Sequence, residues 1–354
     1  MKLSFFPLVI VILFFVGCKQ KEKEQPVTTE EARAFAKKLE ASIEKKDPTF
    51  MDESLAIDVF IKRAGLPAGK KARDFGSGVE QGMKLGTSIT KAVSKKVVYH
   101  LVKQYEKNGV QHLIFRLYDE GSINYHDIEL TKLGKDVLIA DMFVYISGEP
   151  LSATVGTLYK QMESLMDSKS AAWMDKLTTM KQQVASEQYT DAVDTYNSLP
   201  ATIKIARAVQ MMYLTAASMT EDIPLYNKAI DEYQKLYPNE PNMHLLLLNG
   251  YILNKEYDRA LEGINAVDKM INTDPFLDYY RYLIFTLKQD NATAKTHLEK
   301  LMKYAPDFED GMLELIATYL EEKDETAAAP WIKKYEENLF FDQDRLKMTI
   351  EKYR

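Results

Sequence analysis

The chain has 354 residues, enough for two domains, and 46% of them are hydrophobic with no low-complexity block, so a packed core can be built throughout. Lysine and arginine number 46 against 52 acidic residues, a net charge of −6 with no basic block, which excludes the electrostatic footprint of a nucleic-acid binder. A single cysteine excludes an internal disulfide framework.

At the N-terminus, Lys2 precedes an apolar run from Leu3 to Gly17, which is shorter than the roughly 20 residues a membrane-crossing helix needs and reads as a cleaved export signal. Phe15-Val16-Gly17-Cys18 resembles the bacterial lipobox, with a small residue before the cysteine and Phe15 where leucine is commoner. The resemblance implies that residues 1–17 are removed and that Cys18 is acylated. Residues 18–27, in which lysine alternates with glutamate and glutamine, carry little to bury and read as a lipidated tether. The expected location is a bacterial membrane, the outer membrane foremost, with periplasmic and surface-facing placements both open.

Residues 28–150 are expected to form an α+β domain. Thr28 and Glu31 have capping-box spacing ahead of Ala32, Phe35, Ala36, Leu39 and Ile43, which predicts a helix to about Lys46, stopped by Pro48. A second helix carries Leu55, Val59 and Phe60, and a third runs from about Val79 to Val93. Gly65 to Lys71 has faint phosphate-loop character but lacks the spacing, the final Ser or Thr and the preceding strand, so it reads as an ordinary loop. From Val97 to Ile146 the period changes to two, and Asn108-Gly109, Glu120-Gly121 and Gly134 punctuate what reads as a four-stranded antiparallel meander. Three helices followed by a meander resemble, in element order, the cystatin-like and NTF2-like fold, whose sheet often shelters a pocket.

His100, His112 and His126 fall in these strands with Arg116, Asn124 and Asp141 and form the one cluster able to carry chemistry. Three-residue loops at Lys107 to Gly109 and Asp119 to Gly121 would put the histidines, Arg116 and Asn124 on one face. A two-residue Asn108-Gly109 turn would move His112 and Arg116 to the other. The spacing is not that of a metal site, and no catalytic residue, cofactor or metal is assigned.

Gly148-Glu149-Pro150 closes the sheet, and Leu151, Val155, Leu158, Met162 and Leu165 mark a long helix that joins the halves without a flexible linker. Beyond it a 34-residue echo appears. Ala260, Ala294 and Ala328 recur at that spacing, followed by Ile264, Leu298 and Ile332 and then by Val267, Leu301 and Tyr335. Upstream the same ruler meets Tyr226 and Ala192, so five frames agree. A period of 34 with small and large residues at constant phase resembles the tetratricopeptide repeat, a stacking helical hairpin. The resemblance covers about Lys176 to Phe340, with Leu248, Tyr282 and Ile316 where the family usually has glycine. It implies that residues 151–340 form an all-α solenoid, and residues 341–354 read as its capping helix, with Leu346, Ile350 and Tyr353 on one face.

In that family the first helix of each hairpin lines an inner face. Leu245, Asn249, Tyr279, Leu283, Leu313 and Leu320 stand at the corresponding phases and are the expected partner-binding strip. Two covers remain open, a helix or extended segment of a protein partner, and the chain's own capping helix and α+β domain. The functional expectation is a membrane-anchored lipoprotein adaptor for protein–protein interaction in the bacterial cell envelope, without enzymatic activity. The alternative is a small-molecule binder or enzyme using the histidine face, with the repeats as scaffold.

Overall fold

The computed structural model describes residues 23–67, 69–92, 98–119, 122–166, 172–238, 243–339 and 341–353. The expected export signal and Cys18 lie outside the described residues. So do Glu120 and Gly121, although Asp119 pairs with Ser122 across them.

The first element is a two-residue strand, β1 (Glu24–Gln25), paired with Leu133 and Lys132. The tether expected over 18–27 is therefore shorter, and Val27 is already buried. The cause is an open edge: the ladder between Val110–Asp119 and Ser122–Leu133 stops at Glu129, so the end of the second of these strands has backbone groups wanting partners. Helix α1 (Thr29–Glu44) carries the expected capping box, with the Thr28 side chain accepting from Glu31 N and Glu31 accepting from Thr28 N.

Among the described residues five helices lie between β1 and the rest of the sheet, where three were expected. Pro48 opens α2 (Thr49–Glu53) as well as ending the stretch before it, and α3 (Ile57–Arg63) follows. The helix expected from Val79 to Val93 is two, α4 (Lys70–Gly82) and α5 (Leu85–Ala92). A contact distant in sequence makes the break. Asp52 of α2 accepts from Gly86 N at 2.8 Å, Thr87 N at 3.2 Å and Thr87 Oγ1 at 2.6 Å, and so satisfies donors of a new helix start.

The meander has the expected four strands, β2 (Val98–Lys107), β3 (Val110–Asp119), β4 (Ser122–Leu133) and β5 (Asp136–Val144), in antiparallel order. Glu149–Pro150, expected to end the sheet at a helix start, forms a short β6 against Val144 and Phe143 before α6 (Leu151–Met166) begins. Lys107 pairs with Val110, and Asn108 and Gly109 have φ of 53° and 79°, so the connection is the two-residue turn. One face of the sheet, with Tyr99, Leu113, Phe115, Ile128 and Met142, packs on Phe35, Leu39 and Ile43 of α1. The other face contributes Ile114, Tyr118, Ile123 and Tyr125 to a core shared with the helices that follow.

Those helices come in pairs: α7 (Ala172–Ala185) with α8 (Tyr189–Asn197), then, after short α9 (Ala201–Lys204), α10 (Arg207–Ser218) with α11 (Ile223–Leu236). In the third pair the first helix is broken into α12 (Met243–Leu246) and α13 (Leu248–Leu253), opposite α14 (Tyr257–Ile271). A single turn at Pro275–Leu277 leads into α15 (Asp278–Leu287), paired with α16 (Asn291–Tyr304), and α17 (Glu309–Glu321) pairs with α18 (Glu325–Glu337). The 34-residue period returns in the backbone: Glu187, Glu221, Lys255, Gln289 and Lys323, one between the two helices of each pair, all have φ between 59° and 62°. The echoed Ala192, Ala260, Ala294 and Ala328 are buried at most 2% exposed, as a close helix approach requires. The last helix, α19 (Gln343–Tyr353), lies on α17 with Leu346 buried.

Candidate functional site: the sheet face and the helical half

The deepest polar cluster joins the two halves. β3 alternates Ile114, Arg116 and Tyr118 on one face, and β4 sets Tyr125 directly opposite Arg116. From the helical half, Asp274 caps the turn at Pro275–Leu277, accepting from Phe276 N at 3.0 Å. Arg116 Nη1 donates to Asp274 Oδ1 and Oδ2 at 2.7 and 2.8 Å, and the Tyr125 hydroxyl donates to Oδ2 at 2.9 Å. Asp274 is 0% exposed and Arg116 2%, so this ion pair is wholly desolvated. The guanidinium also lies 4.1 Å from the ring centroid of Phe276, a cation–π contact. Burial and the neighbouring Asp274 charge hold the Tyr125 phenol well above its ordinary pKa.

Aromatic rings surround the pair. Tyr118 meets Phe276, Tyr279 and Phe308 edge-on, at centroid distances of 5.0, 6.2 and 5.4 Å. Tyr279, Leu313, Leu320 and Leu245 of the expected partner strip are therefore not an open groove: they are 7%, 5%, 3% and 8% exposed. Tyr279 lies under the sheet's Tyr118, while α19 rests on the helix that carries Leu313 and Leu320. Leu283 is half-buried, and Asn249 alone of the six is exposed. Between the two covers the sequence left open, the structure has the chain's own.

The histidine cluster does not gather. With the two-residue turn, His112 and Arg116 lie on the face toward the helical half, whereas His126 pairs opposite Phe115 on the face toward α1. His112 Nδ1 is 3.1 Å from Asp127 Oδ1, and the Tyr105 hydroxyl donates to the same carboxylate. His100 sits at the sheet edge, its Nδ1 2.9 Å from Glu40 of α1. His126 is enclosed. Asn124 Oδ1 accepts from Tyr125 N and Ile146 N at 2.8 and 3.0 Å, which turns its amide nitrogen toward His126 Nε2 at 3.3 Å. Nε2 is thereby the acceptor, and the ring proton falls on Nδ1, facing the Tyr99 hydroxyl at 3.3 Å. Burial lowers the His126 pKa to about 4, so this imidazole is neutral.

Asp141 turns to another partner, Ser152, whose hydroxyl donates to Oδ2 while Ser152 N and Met142 N donate to Oδ1. Burial raises its pKa against these hydrogen bonds, which pull the other way. The five residues of the expected pocket thus serve five separate contacts, and among the described residues no group of three or more His, Cys, Asp or Glu could hold a metal ion. A groove of about 460 Å³ lies elsewhere, between α1, α2 and the β4–β5 connection, over Phe35, Phe50, Val137 and Leu138. A scan against protein-family models, a search of curated proteins and a search of solved structures each found no match.

Asp274 escaped sequence reasoning. Its place before Pro275 is a legible helix-start signal, but no local pattern ties it to an arginine 158 residues earlier.

Proposed function

We propose that the chain is an exported, lipid-anchored adaptor of the bacterial cell envelope, built as an α+β domain followed by a tetratricopeptide-type helical solenoid that engages a protein partner. One observation carries the reading: the 34-residue period is present twice over, in the buried alanines and in the five left-handed residues between paired helices. Repeats of this kind present extended surfaces for proteins. The lipobox-like Phe15-Val16-Gly17-Cys18 supplies the anchor in this reading. The scattered histidines support no catalytic role.

Crosslinking of the full-length protein in its native envelope, with identification of captured proteins, tests the proposal. A defined protein recovered reproducibly, and lost when the last two helical pairs are deleted, is expected. Recovery of lipid or small molecules alone would overturn it.

A further inference from the structure

The contact between the sheet and the helical half has the composition of a recognition interface. Its centre is Arg116, Asp274, Tyr118, Phe276, Tyr279 and Phe308. Arginine and aromatic anchors dominate protein–protein interfaces, whereas the core on the sheet's opposite face is mainly aliphatic, with Leu39, Leu113, Ile128, Leu130 and Ile139. The polar matching is also incomplete: Arg116 Nε is buried and makes no hydrogen bond. A buried ion pair with an unsatisfied donor sets register better than it adds stability, because desolvation of both charges opposes their attraction. The elements that touch share one core, to which the sheet gives Ile114, Tyr118, Ile123 and Tyr125, but the outer part of each half has a core of its own. The sheet is backed by α1, and α7, α8, α10 and α11 enclose their own.

We infer that the sheet is an occupant in cis of the strip formed by α15 and α17, latched by Arg116 and Asp274, and that the strip is a binding surface for an extended segment of matching chemistry. That chemistry is an arginine two residues from an aromatic, as Arg116 and Tyr118 stand on β3. Side chains two apart on a strand share a face, so one strand reaches both the carboxylate and the aromatic pocket. The use of the opened strip rests on the adaptor reading; the opening itself does not.

Hydrogen exchange on the full chain tests the latch. Arg116→Met leaves Asp274 intact. It should raise exchange severalfold in 110–133 and 278–287, while α1, α7 and α8 keep wild-type protection and helical circular dichroism is unchanged. A rise over the whole chain together, or none, would show the contact to be ordinary core. A lysine-flanked peptide with the sequence of residues 113–119 should then bind Arg116→Met saturably and the wild type not, and the same peptide with methionine for arginine should bind neither. The variant Asp274→Asn, which opens the contact but lacks the acceptor, should fail to bind it. Opening without peptide binding would overturn the inference, while the adaptor reading would still stand or fall on the crosslinking.

Discussion

His126 shows how a single residue can carry a pH dependence without serving chemistry. The unfolded chain takes up a proton near pH 6.5, whereas the folded imidazole refuses it until about pH 4. Protonation therefore favours the unfolded state. Within that window stability falls by about 1.4 kcal/mol per pH unit of acidification, to a loss of about 3 kcal/mol by pH 4. Urea denaturation of wild type and His126→Gln should diverge in slope between pH 6.5 and 4, with the variant the flatter. Parallel curves would mean that the ring is hydrated. Ala294, 2% exposed, tests packing in the same way. Ala294→Leu should cost about 1 to 3 kcal/mol by overpacking, whereas Lys288→Leu, at an exposed position holding one ion pair to Asp258, should stay within about 0.5 kcal/mol. Equal midpoints for the two would put the repeat register in error.

At the scale of elements, the five left-handed residues have the conformation glycine adopts most readily, yet Glu187, Glu221, Lys255, Gln289 and Lys323 occupy it. Each gives up backbone energy that the helix pairing offsets. Lys255→Gly should therefore stabilise the chain by up to about 1 kcal/mol, less the added entropy of the unfolded state. A lower melting temperature would show that the lysine side chain contributes more than its backbone costs. Local signals were legible wherever the partners lie close in sequence. The α1 capping box joins residues three apart and could be read directly, and Asn108-Gly109 marked a turn whose length of two residues came from the strand register. The start of α5 could not, because its capping carboxylate, Asp52, is 34 residues away from Gly86.

For the whole molecule, the proposed reading rests attachment on Cys18; among the described residues no helix is long and apolar enough to cross a membrane. Several acyl chains at ~0.8 kcal/mol per buried CH₂ would hold it stably. Cys18→Ser should move the protein from the membrane to the soluble fraction, and mass spectrometry should show lipid on the wild type only. A variant still sedimenting with membranes would remove the anchor from the proposal. The two halves are tied together by Arg116 and Asp274, and also by Arg207, which lies 3.2 Å from Glu149 and donates to Ser147 O.

The sequence by itself determined the four strands of the meander, the 34-residue period and the alanines that mark close approach, because each depends on spacing within a few tens of residues. Only the tertiary structure decided which face of the sheet each histidine takes, since one residue more or less in a turn inverts a strand. It also decided what covers the strip at Tyr279 and Leu313. An apolar phase in a helix records that the position is buried but not by what, and the answer lay in Tyr118 and α19, elements brought there by the fold as a whole.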